Sequence, residues 1–94
     1  MDKQALQALK KEWHARGYSF GTMTDRPGQA WEDFTHPVNE LVAVLSGELT
    51  VKVSGINTLL LAGEEAFIPA QAIHSVTNTG SQEVEWAFGY QKNR

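Results

Sequence analysis

After Gly17 the hydrophobic period of this chain switches from helical to alternating, and every segment from there to residue 91 is short and bounded by Gly, Pro or Asn. The segments read as strands at 18–24, 29–36, 40–46, 48–54, 57–62, 65–69, 73–79 and 83–91, with Ser46-Gly47 and Ser54-Gly55-Ile56-Asn57 as tight turns. Alternation is cleanest in 48–54, where Leu49, Val51 and Val53 share one face against Glu48, Thr50 and Lys52. It recurs in the last segment with Val84, Trp86, Phe88 and Tyr90. Eight short strands suit a barrel or jelly roll, so the expected fold class is all-β. One helix precedes them: Asp2 is an N-cap, Leu6, Leu9 and Trp13 recur at helical spacing, and Gly17 is a left-handed stop. Residues 3–16 therefore form an amphipathic helix that packs on the outside of the strands.

Ninety-four residues make one domain, 1–94, with no linker and no second core. At this size roughly 60 to 65% of the unfolded surface is buried, so a metal or a partner subunit is expected to add stability, and a homodimer is the expected state. Eleven acids against eight bases give a net charge of −3, and no stretch gathers Lys and Arg on one face. Nucleic acid and anionic membrane are therefore not expected partners. With no cysteine, disulfides, thiolate metal sites and thiol nucleophiles are excluded together. The longest apolar runs, such as Leu59 to Ala62, fall far short of the ~20 residues of a membrane span. The N-terminus shows no basic-then-apolar leader pattern, and the expected location is cytoplasmic.

The remaining chemistry belongs to oxygen and imidazole. In His36-Pro37-Val38-Asn39-Glu40, Pro and Asn favour a turn, so His36 ends one strand and Glu40 begins its neighbour, placing the two side chains to meet across the pair. Pro69 and the short Ala70-Gln71-Ala72 connection deliver His74 to the start of another strand. Two imidazoles and one carboxylate match a facial triad for a divalent transition metal (Fe, Mn, Ni or Zn) with positions left open for other ligands.

These residues sit in two motifs that resemble those of the cupin family. The first family motif runs Gly, five residues, His-x-His, three or four residues, Glu, six residues, Gly; here it is Gly28, Phe34-Thr35-His36, Glu40 and Gly47 in that spacing. The second runs Gly, five residues, Pro-x-Gly, two residues, His, three residues, Asn; here it is Gly63, Pro69-Ala70-Gln71, His74 and Asn78. The resemblance covers about residues 18–91 and implies a single-domain cupin barrel with the helix outside it. Phe34 stands where most metal-binding cupins have their first histidine, which implies a three-ligand variant with a drier pocket on that side, suited to an apolar or aromatic ligand group. Gln71 for Gly implies a turn that avoids a glycine-only conformation.

By strand alternation Glu32, two residues before Phe34, faces the same way, as a carboxylate behind the ligands or a distant replacement ligand. The resemblance further implies that Trp86 and Phe88, with Phe34, shape a substrate pocket that Tyr90 also lines, the alternative for the last-strand aromatics being plain core, and that a small molecule is the partner. Dioxygenase, isomerase or lyase activity on a small oxygen-bearing molecule is compatible with the family, which serves many chemistries on one fold. The alternative is a non-catalytic module that binds a sugar or carboxylate, or that dimerises. His14, Glu48, Glu83 and Glu85 read as solvated side chains, and Asn78-Thr79-Gly80 as an ordinary turn. No nucleophile elbow or phosphate-binding glycine loop is present.

Overall fold

The computed structural model describes residues 2–92; Met1, Asn93 and Arg94, which the expected domain includes, lie outside the described residues. Helix α1 (Lys3–Ala15) is followed by eight strands: β1 (Gly21–Asp25), β2 (Ala30–Phe34), β3 (Glu40–Ser46), β4 (Glu48–Val53), β5 (Ile56–Leu61), β6 (Glu65–Ile68), β7 (His74–Thr77) and β8 (Val84–Tyr90). They form two four-stranded sheets, β1-β8-β3-β6 and β2-β7-β4-β5, antiparallel throughout. The two sheets face each other as a jelly roll. No helix among the described residues is long and apolar enough to cross a membrane.

The two turns read from the sequence do different jobs. Ser54 and Gly55 both have positive φ (50° and 86°) and join β4 to β5 as a two-residue hairpin, so Ile56 and Asn57 belong to the strand rather than to the turn. Gly47 is a bend that carries the chain from one sheet to the other. Its φ is 87°, and a Cβ there would lie 2.6 Å from the carbonyl oxygen of Glu83, so only glycine fits.

Between the sheets lies an apolar core that includes Val42, Val44, Leu49, Val51, Leu60, Ile68, Val76, Val84 and Trp86. A second cluster forms where α1 covers the outer face of the first sheet, joining Trp13 and Tyr18 to Leu41, Ala43, Leu45 and Ala87. Strand β3 is thus covered on both faces, which is why Leu41 to Leu45 form an unbroken apolar run instead of alternating. Asp2 caps the helix by accepting from the Ala5 N–H at 2.7 Å. Trp13, fully buried, donates its indole N–H to Glu65 Oε1 at 3.0 Å, and Arg16 pairs with the same carboxylate at 3.1 Å.

Candidate metal centre

His36, Glu40 and His74 come together at one end of the sandwich, with a donor atom from each lying within 4.8 Å of the others. The route differs from the one the turn sequence suggests. Strands β2 and β3 belong to opposite sheets, so His36 and Glu40 do not meet across a strand pair. His36 lies in the connection after β2, Glu40 opens β3 and His74 opens β7, and the three side chains converge across the gap between the sheets.

The connections are locked to each other. Gln71 N–H donates to the His36 carbonyl at 2.8 Å, Ala70 N–H to Asn39 Oδ1 at 2.8 Å, and Gln91 N–H to the Asn39 carbonyl at 2.8 Å. Gln71 does this at φ 69°, so the turn keeps a left-handed conformation despite the missing glycine, contrary to the expectation from the sequence. The cost is of order 1 kcal/mol.

The Glu40 carboxylate stands between the rings: Oε1 is 3.2 Å from His74 Nε2 and 3.6 Å from His36 Nε2. This oxygen is buried without a hydrogen-bond partner. His74 Nδ1 lies 3.1 Å from the Ala72 carbonyl, an acceptor only, so Nδ1 is the ring nitrogen that donates there and Nε2 is the one that faces the carboxylate. His36 is held below its ordinary range by burial and by the neighbouring His74, which favours its neutral form. Burial pushes Glu40 up to about 7. Two imidazole nitrogens and a carboxylate oxygen thus converge, a donor set that suits a cation. Two donors that would share one metal by bonds of ~2.1 Å lie at most about 4.2 Å apart, and both contacts of Glu40 Oε1 fall inside that limit.

A cavity of about 200 Å³ opens above the three side chains, lined by Phe34, Trp86 and Phe88 and also by Met23, Trp31, Val76 and Tyr90. The three aromatic residues assigned to the pocket from the sequence are thus in its wall. Phe34 is cross-strand partner to His74 and its ring stacks on His36 with an interplanar angle of 6°, so it occupies the side from which a fourth ligand would come. Glu32 is exposed and absent from the cavity lining. Alternation fails there because the β2–β7 register shifts between Trp31 and Phe34, and Asp33 adopts φ 57°. This bulge is what turns both Trp31 and Phe34 toward the cavity. Phe67 points away, 53% exposed on β6, and His14 is exposed on α1. Asn78 is buried and ties its turn together, donating to the carbonyls of Asp25 and Gln82 and accepting from Gly80 N–H.

Met23 and Val76 carried no motif signal, because their place in the lining follows from strand register. Met23 pairs with Trp86, and Val76 with Trp31 and Val51. Tyr90 lies in the lining beside Trp86 and Phe88, where the resemblance of the last strand to the family put it. Burial, with Glu40 nearby, raises its hydroxyl above the usual range, so it keeps its proton at neutral pH.

Residues 21–90 match the family model described as the cupin domain. The chain belongs to the cupin family. No curated protein matches this cupin in sequence. Among solved structures, the cupin is similar to the protein TT1209 from Thermus thermophilus, with 27% identity, a TM-score of 0.73, and coverage of 81% of this chain and 74% of that one. It is also similar to an oxalate oxidase, with 26% identity and a TM-score of 0.74, covering 82% of this chain. The cupin spans 43% of that enzyme's length. The cupin domain of an XRE family transcriptional regulator from Enterobacter cloacae shares the fold at 24% identity and a TM-score of 0.75, covering 87% of this chain and 90% of that one.

Proposed function

We propose that this cupin binds one divalent transition metal through His36, Glu40 and His74, and that the open coordination positions hold a small oxygen-bearing molecule inside the aromatic cavity. The observation that carries this reading is the buried Glu40 Oε1, which has no hydrogen bond and faces two imidazole nitrogens. An ionised carboxylate left so costs several kcal/mol unless a cation answers it, and without one burial pushes its pKa up to about 7, so that it holds a proton instead. When bound, the metal supplies Lewis acidity and a template for ligand oxygens. The chain's own residues shape and dry the space above it, and Tyr90 offers a hydroxyl donor at the cavity wall. The similar oxalate oxidase has been solved with the substrate analogue glycolate, which supports a small carboxylate as the ligand class.

The test is metal analysis of protein prepared without chelator. Near-stoichiometric Fe, Mn, Ni or Zn is expected, with His74→Ala losing the metal while keeping its β-sheet spectrum. A hundredfold excess of free metal over Kd adds about 2.7 kcal/mol of stability. For a domain of this size that raises the midpoint of thermal unfolding by about 10 °C or more. Wild-type protein that takes up none of the four metals overturns the reading. A second reading, a non-catalytic module holding a sugar or carboxylate without metal, is favoured by Phe34 in the position of a fourth ligand. Sugar or carboxylate binding that persists in the presence of chelator would select it.

We also infer that the chain pairs with a second copy along the β5–β6 side. Strand β5 ends its sheet and carries no charge, no Pro and no bulge over Ile56–Leu61. Edges left so plain are usually covered. Ile56 and Phe67, each more than half exposed, line a groove there with Val53, Leu60, Ala66 and Pro69, and Leu59 and Leu61 are half exposed on the other face of β5. A two-fold axis sets this uncharged strand against itself with no like-charge conflict.

A further inference from the structure

Asp25 is a buried acid that the metal reading does not use. It ends β1 with 5% exposure, below the cavity and outside its lining. One of its oxygens, Oδ2, accepts two indole protons: Trp31 Nε1 at 2.9 Å and Trp86 Nε1 at 3.0 Å. Both indoles line the cavity. They come from opposite sheets, Trp31 from β2 and Trp86 from β8, so a single carboxylate oxygen ties the two sheets together beneath the pocket.

Each indole begins a chain of ring contacts that runs to the metal group. On one side Trp31 contacts Phe34 at a centroid distance of 6.4 Å, and Phe34 stacks on His36 at 6.4 Å. On the other, Trp86 contacts Phe88 at 5.6 Å, Phe88 contacts Tyr90 at 6.2 Å, and Tyr90 meets the same His36 edge-on at 4.9 Å. The two arms close into a ring around the cavity, with His36 at one pole and Asp25 at the other. An indole turns about two side-chain torsions, and Trp31 is 36% exposed, so packing alone does not hold it. A hydrogen bond to a charged acceptor is about twice as strong as one between neutral groups, and here one acceptor sets both rings.

We propose that Asp25 is a positioning residue that fixes Trp31 and Trp86 as the opposed walls of the cavity, and that the walls so held select a carboxylate bearing a flat, apolar group over a bare one. The ligand class rests on the metal reading above; the fixing of the indoles does not. Asp25 touches neither the three metal-binding side chains nor the ligand, and acts through the indoles.

The experiment compares wild type with Asp25→Ala, Asp25→Asn and Trp31→Phe, using zinc as the metal and benzoate and acetate as probes. Indole N–H signals are followed by ¹H–¹⁵N NMR without metal, and affinities by calorimetry on zinc-loaded protein. In Asp25→Ala the Trp31 and Trp86 signals are expected to shift together and lose exchange protection. Benzoate affinity falls about five- to tenfold, the contribution of oriented aromatic contacts, while acetate affinity and zinc content stay at wild-type values. Asp25→Asn keeps an acceptor oxygen and restores most of both properties. Trp31→Phe, a change at a partly exposed position that removes one of the two donors from Oδ2, weakens benzoate and shifts the Trp86 signal through the shared acceptor; if the alanine variant does not fold, a Trp86 signal that stays unmoved in Trp31→Phe overturns the shared anchor. Unchanged indole signals in Asp25→Ala, or an equal loss of benzoate and acetate, overturns the proposal. If wild type takes up no zinc, whichever of Fe, Mn or Ni it does take up replaces zinc; if it takes up none of the four, the metal reading fails, and the indole signals alone still decide whether Asp25 holds the walls.

Discussion

Burial sets the Glu40 carboxyl at about 7 against an ordinary value of 4.5. In the metal-free protein the folded state therefore keeps a proton that the unfolded chain releases between those values. Its stabilising effect is whole below pH 4.5 and is lost as pH rises through 7, a change of up to about 3 kcal/mol. His36 runs the other way: its lowered value adds stability as pH rises towards 6.5. Glu40→Gln keeps the shape without the ionisation, so in chelator the variant should melt higher than wild type at pH 8 and near it at pH 4.5, while binding no metal. A Gln variant that melts lower at pH 8 would show that a protein group already balances the Glu40 charge. The three side chains that converge were legible in the sequence because Gly28, Gly47, Gly63 and Pro69 keep them in a fixed frame. Glu32 was misplaced because a bulge leaves no reliable mark in residue types. Asp25 was invisible because its partners lie 6 and 61 residues away, on strands whose pairing the spacing does not state.

Among the elements, all eight strands and the helix stand where hydrophobic period put them, since each period is a local property of the chain. Which strands pair is not local. The short β2–β3 connection looked like a neighbour-to-neighbour turn, yet it crosses between sheets, and that crossing is what points His36 and Glu40 at each other from opposite walls. Helix docking depends on a contact equally absent from the pattern. A Cβ on Gly89 would run into the Ser19 carbonyl oxygen and lie 2.8 Å from the Trp13 ring. Gly89→Ala is therefore expected to lift the end of α1 from the first sheet at a cost of about 1–3 kcal/mol. Thermal melts should fall by roughly 10 °C, and the near-ultraviolet signal of Trp13 should weaken. Metal uptake should persist, because α1 lies on the face of the sheet away from the cavity. A melting point equal to that of wild type would show that the helix contributes little to the fold.

For the whole molecule, the small core and the open β5–β6 side are two aspects of one condition. A sandwich of 94 residues leaves part of its inner surface uncovered at a sheet edge, and here Ile56, facing inward by register with Leu60, is 70% exposed. Pairing with a second copy, as proposed, would cover that edge and offset the thin core, and on that reading the chain should run at the mass of a dimer in light scattering after size exclusion. Leu59 lies at the middle of β5, where a two-fold axis brings its two copies close together. Leu59→Lys then sets ammonium groups against each other in the dimer while leaving the monomer's core untouched, since Leu59 is already half exposed. The expected result is a halved mass at equal loading with metal content unchanged, because the metal group lies at a different part of the sandwich. A wild-type protein that stays monomeric at millimolar concentration removes the pairing inference and leaves the metal centre standing on its own geometry.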